Sequence, residues 1–352
     1  MAVDLGKLVG EVKENIELSE LANKRVAIDA YNTIYQFITI IRGPDGTPLT
    51  DSQNRVTSHL SGLFYRTINL LEQKIQPVFV FDGIPPVLKQ RTLAARASKR
   101  EEAREEWEKA KAKGMLEEAR AYAVASSRIN KWIVESSKEL LTHMGVPYIQ
   151  APSEGEAQAA RMVRDGAVYA SASQDYDLFL FGSEVIVRNL TITGRRKLPG
   201  KNIYVNVEVE RVFLDRLLKN LNLDRKRLIW LGMLVGTDFN EGISGVGPKT
   251  ALKIAGSYGS LREIVDYVRE KYNKEFEVDP EEVERIFMEP DTIEIDAKSI
   301  NEKFAQSKPD KEGIIKFMCD EHEFSQERIG KFADKLISFR QGAGQKGINS
   351  WI

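Results

Sequence analysis

The chain has 352 residues, 42% hydrophobic and 29% charged, with a formal net charge of −1. That length supports one large domain or two ordinary ones, and no apolar run reaches the ~20 residues a membrane span needs. The opening MAVDLGKLVGEVKENIE is too acidic and too broken for a secretory signal, and the single cysteine, Cys319, excludes an internal disulfide framework and fits a reducing compartment.

In chain order, 26–28 reads as a strand, 43–54 (GPDGTPLTDSQN) as a turn-rich connection, 57–73 as an amphipathic helix and 78–81 as a strand. Residues 85–128 are intensely charged and lack a wide apolar stripe, yet their alanine, glutamate, lysine and arginine favour helix. Such a helix hangs in solvent or wraps a charged ligand. A helix over 135–144, a strand over 146–150, a helix over 154–165 and a strand over 168–171 follow, then strands over 185–189 and 201–205. From Arg227 the chain turns helical, with glycine punctuation between Gly242 and Gly259, and 341–352 (QGAGQKGINSWI) reads as a flexible tail ending on apolar residues. The alternation predicts an α/β fold with a mostly parallel central sheet flanked by helices.

Three apolar runs end on aspartate: VAIDA at Asp29, PVFVFDG at Asp82, and VYASASQDYD at Asp175 and Asp177. In an open α/β sheet, strands deliver functional residues at their carboxyl ends, beside the ligand crevice. Carboxylates gathered there repel one another unless a cation neutralises them. APSEGEA adds Glu154 and Glu156, and LVGTDFN adds Asp238. Taken singly, Glu154 and Asp238 read as helix caps, Glu156 as a solvated first-turn acid and Asp175-Tyr176-Asp177 as an exposed turn. Together the seven acids suit two Mg²⁺ ions, with Mn²⁺ as an expected substitute, about ~4 Å apart across a phosphodiester. His59, His143 and His322 are scattered, which argues against zinc.

After Asp82 comes GIPPVLKQRTLAARASKR, in which Lys89 and Arg96 lie two helical turns apart and share a face. Beginning so near a metal-ligand candidate, that face suits a scissile phosphate better than bulk solvent; Arg91, Lys99 and Arg100 divide evenly between the two. EGISGVGPKTA places Gly245, Gly247, Lys249 and Thr250 at a helix start, a pattern for gripping the phosphate backbone of DNA and too short for a Walker A loop. The near-neutral net charge does not oppose this, because acids in a metal site mask bases on a binding face. Cys319, in IIKFMCD, reads as a packed thiol.

These motifs, with IYQF at Tyr35, TSHLSGLFYRT at Arg66 and IKFMCDEHEFSQERI, resemble the structure-specific 5′ nucleases, above all the flap endonucleases of archaea and eukaryotes. The resemblance implies Mg²⁺-dependent hydrolysis at the junction of duplex DNA and a 5′ flap. It places the seven acids at the metal site, Lys89 and Arg96 as gateway cations, and Tyr35 beside the cleaved nucleotide. It makes 85–130 a helical arch inserted in a single nuclease domain, 1–340. Residues 227–262 become a helix–two-turn–helix segment binding K⁺, and Arg42, Thr57, Arg66 and Lys316 are expected near the upstream duplex. Gln345, Ile348, Trp351 and Ile352 resemble the short motif that docks on a DNA sliding clamp. Three departures stand out: Ala2 replaces a terminal glycine, Gly242 replaces a hydroxyl residue beside the K⁺, and Ile352 replaces the second aromatic of the clamp motif. With no basic extension after Ile352, a cytoplasmic, nucleoid-associated archaeal protein is expected. The rivals are a related 5′→3′ exonuclease or repair nuclease, a clamp partner without catalysis, and a glycosyltransferase reading of Asp175-x-Asp177 that leaves Asp29, Asp82 and the glycine turn unexplained.

Overall fold

The computed structural model describes residues 3, 5–43, 46–192, 194–197 and 204–346. Nine strands run in the order β1 (Glu14–Ile16), β2 (Arg25–Asp29), β3 (Gln76–Phe81), β4 (Tyr148–Gln150), β5 (Ala170–Ala172), β6 (Val185–Arg188), β7 (Gly194–Lys197), β8 (Tyr204–Val207) and β9 (Val209–Phe213) among the described residues. Seven of them form one sheet in the order β1-β9-β6-β5-β2-β3-β4. Its five central neighbours are parallel, and β9 and β1 add an antiparallel edge.

The period-2 alternation of β2 explains why the sheet is covered on both faces. Ala27 packs with Val78 and Val80 into one core, while Val26 and Ile28 pack with Phe79 and Phe81 into the other. The helices that cover these faces are α1 (Gly6–Val9), α2 (Ala30–Ile40), α3 (Ser58–Glu72), α4 (Lys89–Ala112), α5 (Leu116–Ala125), α6 (Lys131–His143), α7 (Gly155–Arg164), α8 (Asp177–Leu180) and α9 (Leu214–Leu221). There follow α10 (Arg225–Val235), α11 (Pro248–Ser257), α12 (Leu261–Tyr272), α13 (Pro280–Met288), α14 (Ala297–Gln306), α15 (Lys311–Ile315) and α16 (Gln326–Lys346). None is long and apolar enough to cross a membrane among the described residues.

The charged stretch after Asp82 is two helices, α4 and α5, broken at Gly114, whose φ is +69°. Ala110 is the one buried residue of α4, as its lack of an apolar stripe requires. Two sequence expectations shift. The strand expected at 201–205 is instead β8, Tyr204–Val207, paired with β7 outside the main sheet, and 201–203 lie outside the described residues. The tail expected to be flexible from residue 341 continues α16 to Lys346, because Gln, Ala and Lys outweigh the glycines between them. The clamp-motif residues Ile348, Trp351 and Ile352, and Ala2, lie outside the described residues, and of Gln345 only the backbone is described.

The three histidines are structural, as expected. His59 is buried, bonded to Ser136 Oγ at 2.8 Å, and burial pushes its pKa down to about 3, so it stays neutral. His143 lies 3.7 Å from Asp310, and His322 lies 3.2 Å from Asp51. Cys319 packs half-buried against the core.

Candidate active site

Strands β3, β2 and β5 lie side by side, with Ile28 in register with both Phe79 and Ala172. Their carboxyl ends therefore open on one rim of the sheet. Asp29 closes β2, Asp82 follows β3, and Ser173, Asp175 and Asp177 follow β5. Asp29 also caps α2, its Oδ1 accepting from the Asn32 N–H at 3.0 Å. Asp177 Oδ1 accepts from the Val3 N–H at 2.7 Å.

At the start of α7 the side-chain cap that Glu154 suggests when taken singly does not form. Glu154 occupies the N-cap position but its side chain makes no bond to the helix; its carboxylate pairs with the Lys89 ammonium. Asp82 takes over at that helix start, its Oδ1 accepting from the Gly155 N–H at 2.7 Å. A Cβ at residue 155 would stand 2.6 Å from that oxygen, so only glycine permits the approach. Asp238 does not cap a helix either. The turn after α10 holds it, pinned by Asn240 Nδ2 donating to Met233 O at 2.8 Å and by Thr237 Oγ1 bonded to Asn240 Oδ1 at 2.8 Å. Glu154 and Asp238 bond to the cations of α4 in preference to a helix end, because charge-assisted pairs are the stronger ones, whereas Asp29 and Asp82 each take a helix-start N–H.

Helix α4 brings those cations in. Arg96 bonds to Asp238 Oδ1, Lys89 Nζ lies 3.4 Å from Asp238 Oδ2, and Thr92 Oγ1 donates to the Asp238 carbonyl at 2.9 Å. Positions 89, 92 and 96 share one helix face, so α4 is fastened to the acids at its foot. Thr92 escaped the sequence reading because a lone threonine in a charged run carries no signal. Arg91 and Lys99, by contrast, are exposed.

The electrostatics follow from crowding. Burial, then the charge of Asp82, pushes Asp29 up to about 8. Burial pushes Asp177 up to about 7 and raises Asp82 and Glu154. It also lifts Glu156, helped by Asp175, and Asp175, helped by Asp238. Asp238 is the exception: burial works to raise it, but Lys89 and Arg96 hold it below the ordinary range. Burial would discharge Lys89, yet Glu154, Asp238 and Asp82 outweigh it and keep the ammonium charged.

All-carboxylate donors on three adjoining strand ends fit a hard divalent cation. As the side chains stand, no group of three closes on a single point among the described residues, and Lys89 and Arg96 sit among the acids. The raised carboxyls have a measurable consequence. A carboxyl with a folded pKa above its unfolded value of about 4 stabilises the fold below that value and loses the contribution as pH rises through the folded pKa. Metal-free protein is therefore expected to melt at progressively lower temperature between about pH 4 and about pH 8, the span set by Asp29 and Asp177. Millimolar Mg²⁺ should remove most of that fall, and a melting temperature indifferent to both pH and Mg²⁺ would count against a cation site.

The other expected residues divide. Tyr35 is 36% exposed on α2, the helix that Asp29 caps. Gly245, Gly247 and Lys249 are exposed and Thr250 half-exposed at the start of α11, and Lys316 is exposed. Arg66 is half-buried. Gly242 packs so closely that a Cβ would meet Val235 O at 2.1 Å, so this backbone has no room for a hydroxyl side chain. Two expected DNA contacts are turned inward. Thr57 is buried, its N–H bonded to Leu49 O at 2.7 Å. Arg42 is half-buried, donating to Gly46 O at 2.7 Å and to Ser127 Oγ, and so ties the end of α2 to the chain just beyond α5. Asn32 and Ser173, which contact Asp175, Asp29 and Glu156, were missed, because small polar residues beside acids look like ordinary turn chemistry.

Comparison with known proteins agrees with this geometry. The XPG N-terminal domain matches residues 1–103 and the XPG I-region residues 145–238. Flap endonuclease 1 of Thermococcus onnurineus is 50% identical over 353 residues, covering 100% of this chain and 99% of that one. The enzyme of Saccharolobus solfataricus is 47% identical over 356 residues, covering 99% and 100%. Among solved structures, flap endonuclease-1 from Methanococcus jannaschii superposes with a TM-score of 0.74 at 37% identity, covering 97% of this chain and 99% of that one. The catalytic core of Rad2 in complex with DNA substrate gives 0.67 at 26% identity, covering 96% and 100%.

Proposed function

Because the chain belongs to the flap endonuclease family, we propose that its carboxylate crevice is where a DNA phosphodiester is hydrolysed beside the duplex junction. The protein is a structure-specific 5′ flap endonuclease of DNA replication and repair. It is a metal-dependent nuclease that binds branched DNA, and the ion we assign is Mg²⁺, two per site, with Mn²⁺ able to replace it and a 5′→3′ exonuclease activity alongside. The observation that carries this reading is the meeting of Asp29, Asp82 and Asp175 at one sheet rim with Glu154, Glu156, Asp177 and Asp238 around them. Bound there, divalent ions supply Lewis acidity and an activated water.

The chain's own groups do the rest. Lys89 and Arg96, now paired with Glu154 and Asp238, are placed to pass to the scissile phosphate and neutralise charge developing on it. Tyr35 offers a ring on which the base next to the cut stacks. Gly245, Gly247, Lys249 and Thr250 take the downstream backbone phosphates, where backbone carbonyls near Gly242 would hold a K⁺, and Arg66 and Lys316 serve the upstream duplex. Thr57 and Arg42 join them only through a rearrangement that unburies them. The α4–α5 pair forms the arch over a threaded flap within one nuclease domain spanning 1–340.

Cleavage of 5′-flap, nicked, bubble and four-way-junction DNA, with and without Mg²⁺, tests the assignment. The flap should be cut fastest and only with metal; preference for the bubble or the four-way junction would move the protein to a sister activity. The C-terminal residues Gln345, Ile348, Trp351 and Ile352 are assigned to a sliding clamp. Deleting 345–352 should leave basal flap cleavage intact and abolish stimulation by the clamp. Stimulation that survives the deletion would place the clamp contact elsewhere.

A further inference from the structure

Around the acids, two neutral side chains close a ring of hydrogen bonds. The Asn32 N–H donates to Asp29 Oδ1 at 3.0 Å, and Asn32 Nδ2 donates to Asp175 Oδ2 at 3.1 Å. The Asp175 N–H donates to Ser173 Oγ at 3.2 Å, and that hydroxyl lies 3.2 Å from Asp29 Oδ2 and 3.1 Å from Glu156 Oε1. The Asn32 amide is oriented by Gln36, whose Nε2 donates to its Oδ1 and leaves Nδ2 for Asp175. Two strands and a helix start, carrying Asp29, Asp175 and Glu156, are thus joined by groups that carry no charge.

The absence of charge is what matters. A lysine or arginine that holds a carboxylate also competes with any metal ion for it. An amide N–H or a hydroxyl leaves the carboxylate's charge in place and occupies one oxygen direction only. The Ser173 hydroxyl has a single proton, so at any instant it serves Asp29 or Glu156. It can follow whichever carboxylate an arriving ion leaves unsatisfied. Without such donors, acids this crowded would splay apart, and the ion would have to reassemble them on binding.

We infer that Ser173 and Asn32 are positioning residues that hold Asp29, Asp175 and Glu156 together before the metal enters, an inference that rests on the metal reading of the same crevice. Their loss should appear as weaker metal binding, since outer partners of ligating groups are worth about ten- to a hundredfold in metal affinity. The chemical step itself, once metal saturates, should change little.

The test compares Ser173→Ala, Asn32→Ala and Ser173→Thr with the parent chain. Mn²⁺ is titrated calorimetrically into the DNA-free protein, and flap cleavage is followed against Mg²⁺ at saturating DNA. Ser173→Ala and Asn32→Ala should each weaken Mn²⁺ binding and raise the half-saturating Mg²⁺ about tenfold, with kcat at saturating metal within about threefold of the parent. Ser173→Thr should restore both. A fall in kcat with metal affinity unchanged would overturn the inference, as would a threonine variant no better than alanine. So would losses that merely track a lower melting temperature of the metal-free protein. Asp175→Ala separates the two levels: if it still binds Mn²⁺ and cuts, the metal reading has failed. If it is blind to metal while Ser173→Ala binds as the parent does, only the positioning role has failed.

Discussion

Asp175→Ala should cut a 5′-flap duplex at least about a thousandfold more slowly in Mg²⁺, a loss of ~4 kcal/mol in transition-state stabilisation, while binding the same DNA within about threefold of the parent. The asymmetry follows from where Asp175 stands. It lies just beyond the end of β5 with Asn32 Nδ2 on one oxygen, its pKa raised by burial and then by Asp238, while Gly245, Gly247 and Lys249, the residues proposed to grip DNA, lie on separate elements. Removing a carboxylate from a set that repels itself relieves strain in the metal-free protein, so its melting temperature should hold or rise. Loss of cleavage together with loss of fold would mean that Asp175 is structural, and normal cleavage would remove it from the metal site.

Lys89→Ala should lower kcat by about a hundred- to a thousandfold with flap affinity changed only a few-fold, the signature of a charge used in the transition state and not in ground-state binding. Lys89 stands at the first position of α4, bonded to Glu154 and 3.4 Å from Asp238, so its ammonium already occupies the region where a phosphate would meet the acids. Thr92 and Arg96 still fasten α4 to Asp238 in the variant, so the helix keeps its foot. Equal losses in kcat and affinity, measured by single-turnover cleavage and by binding in Ca²⁺, would reduce Lys89 to an anchor.

Much of this was legible without coordinates. Apolar runs such as PVFVF can be little other than buried strands, and an aspartate directly after such a run must emerge at the strand's carboxyl end. The pattern of α/β alternation followed from the same local periodicity. The antiparallel edge did not, because β1 and β9 are short, half-polar strands whose pairing partner lies nearly two hundred residues away. Helix α2 was also missed: AYNTIYQFITI mixes aromatic and β-branched residues, and packing against α3 and β3 outweighs its weak propensity.

At the site, the sequence by itself determined the chemical class of the donors: seven carboxylates with a lysine and an arginine one helix face away. That information is local, carried by residue type and by spacing along single elements. Only the tertiary structure decided that β3, β2 and β5 are neighbours, that the side chain of Asp82 and not that of Glu154 bonds the start of α7, and that Lys89 and Arg96 reach Asp238 some 142 residues along the chain from Arg96. It alone turned Thr57 and Arg42 inward and closed the ring through Asn32 and Ser173. Each of these is settled by competition for a few hydrogen-bonding directions among charges brought together from distant segments. That competition exists only once the sheet has formed.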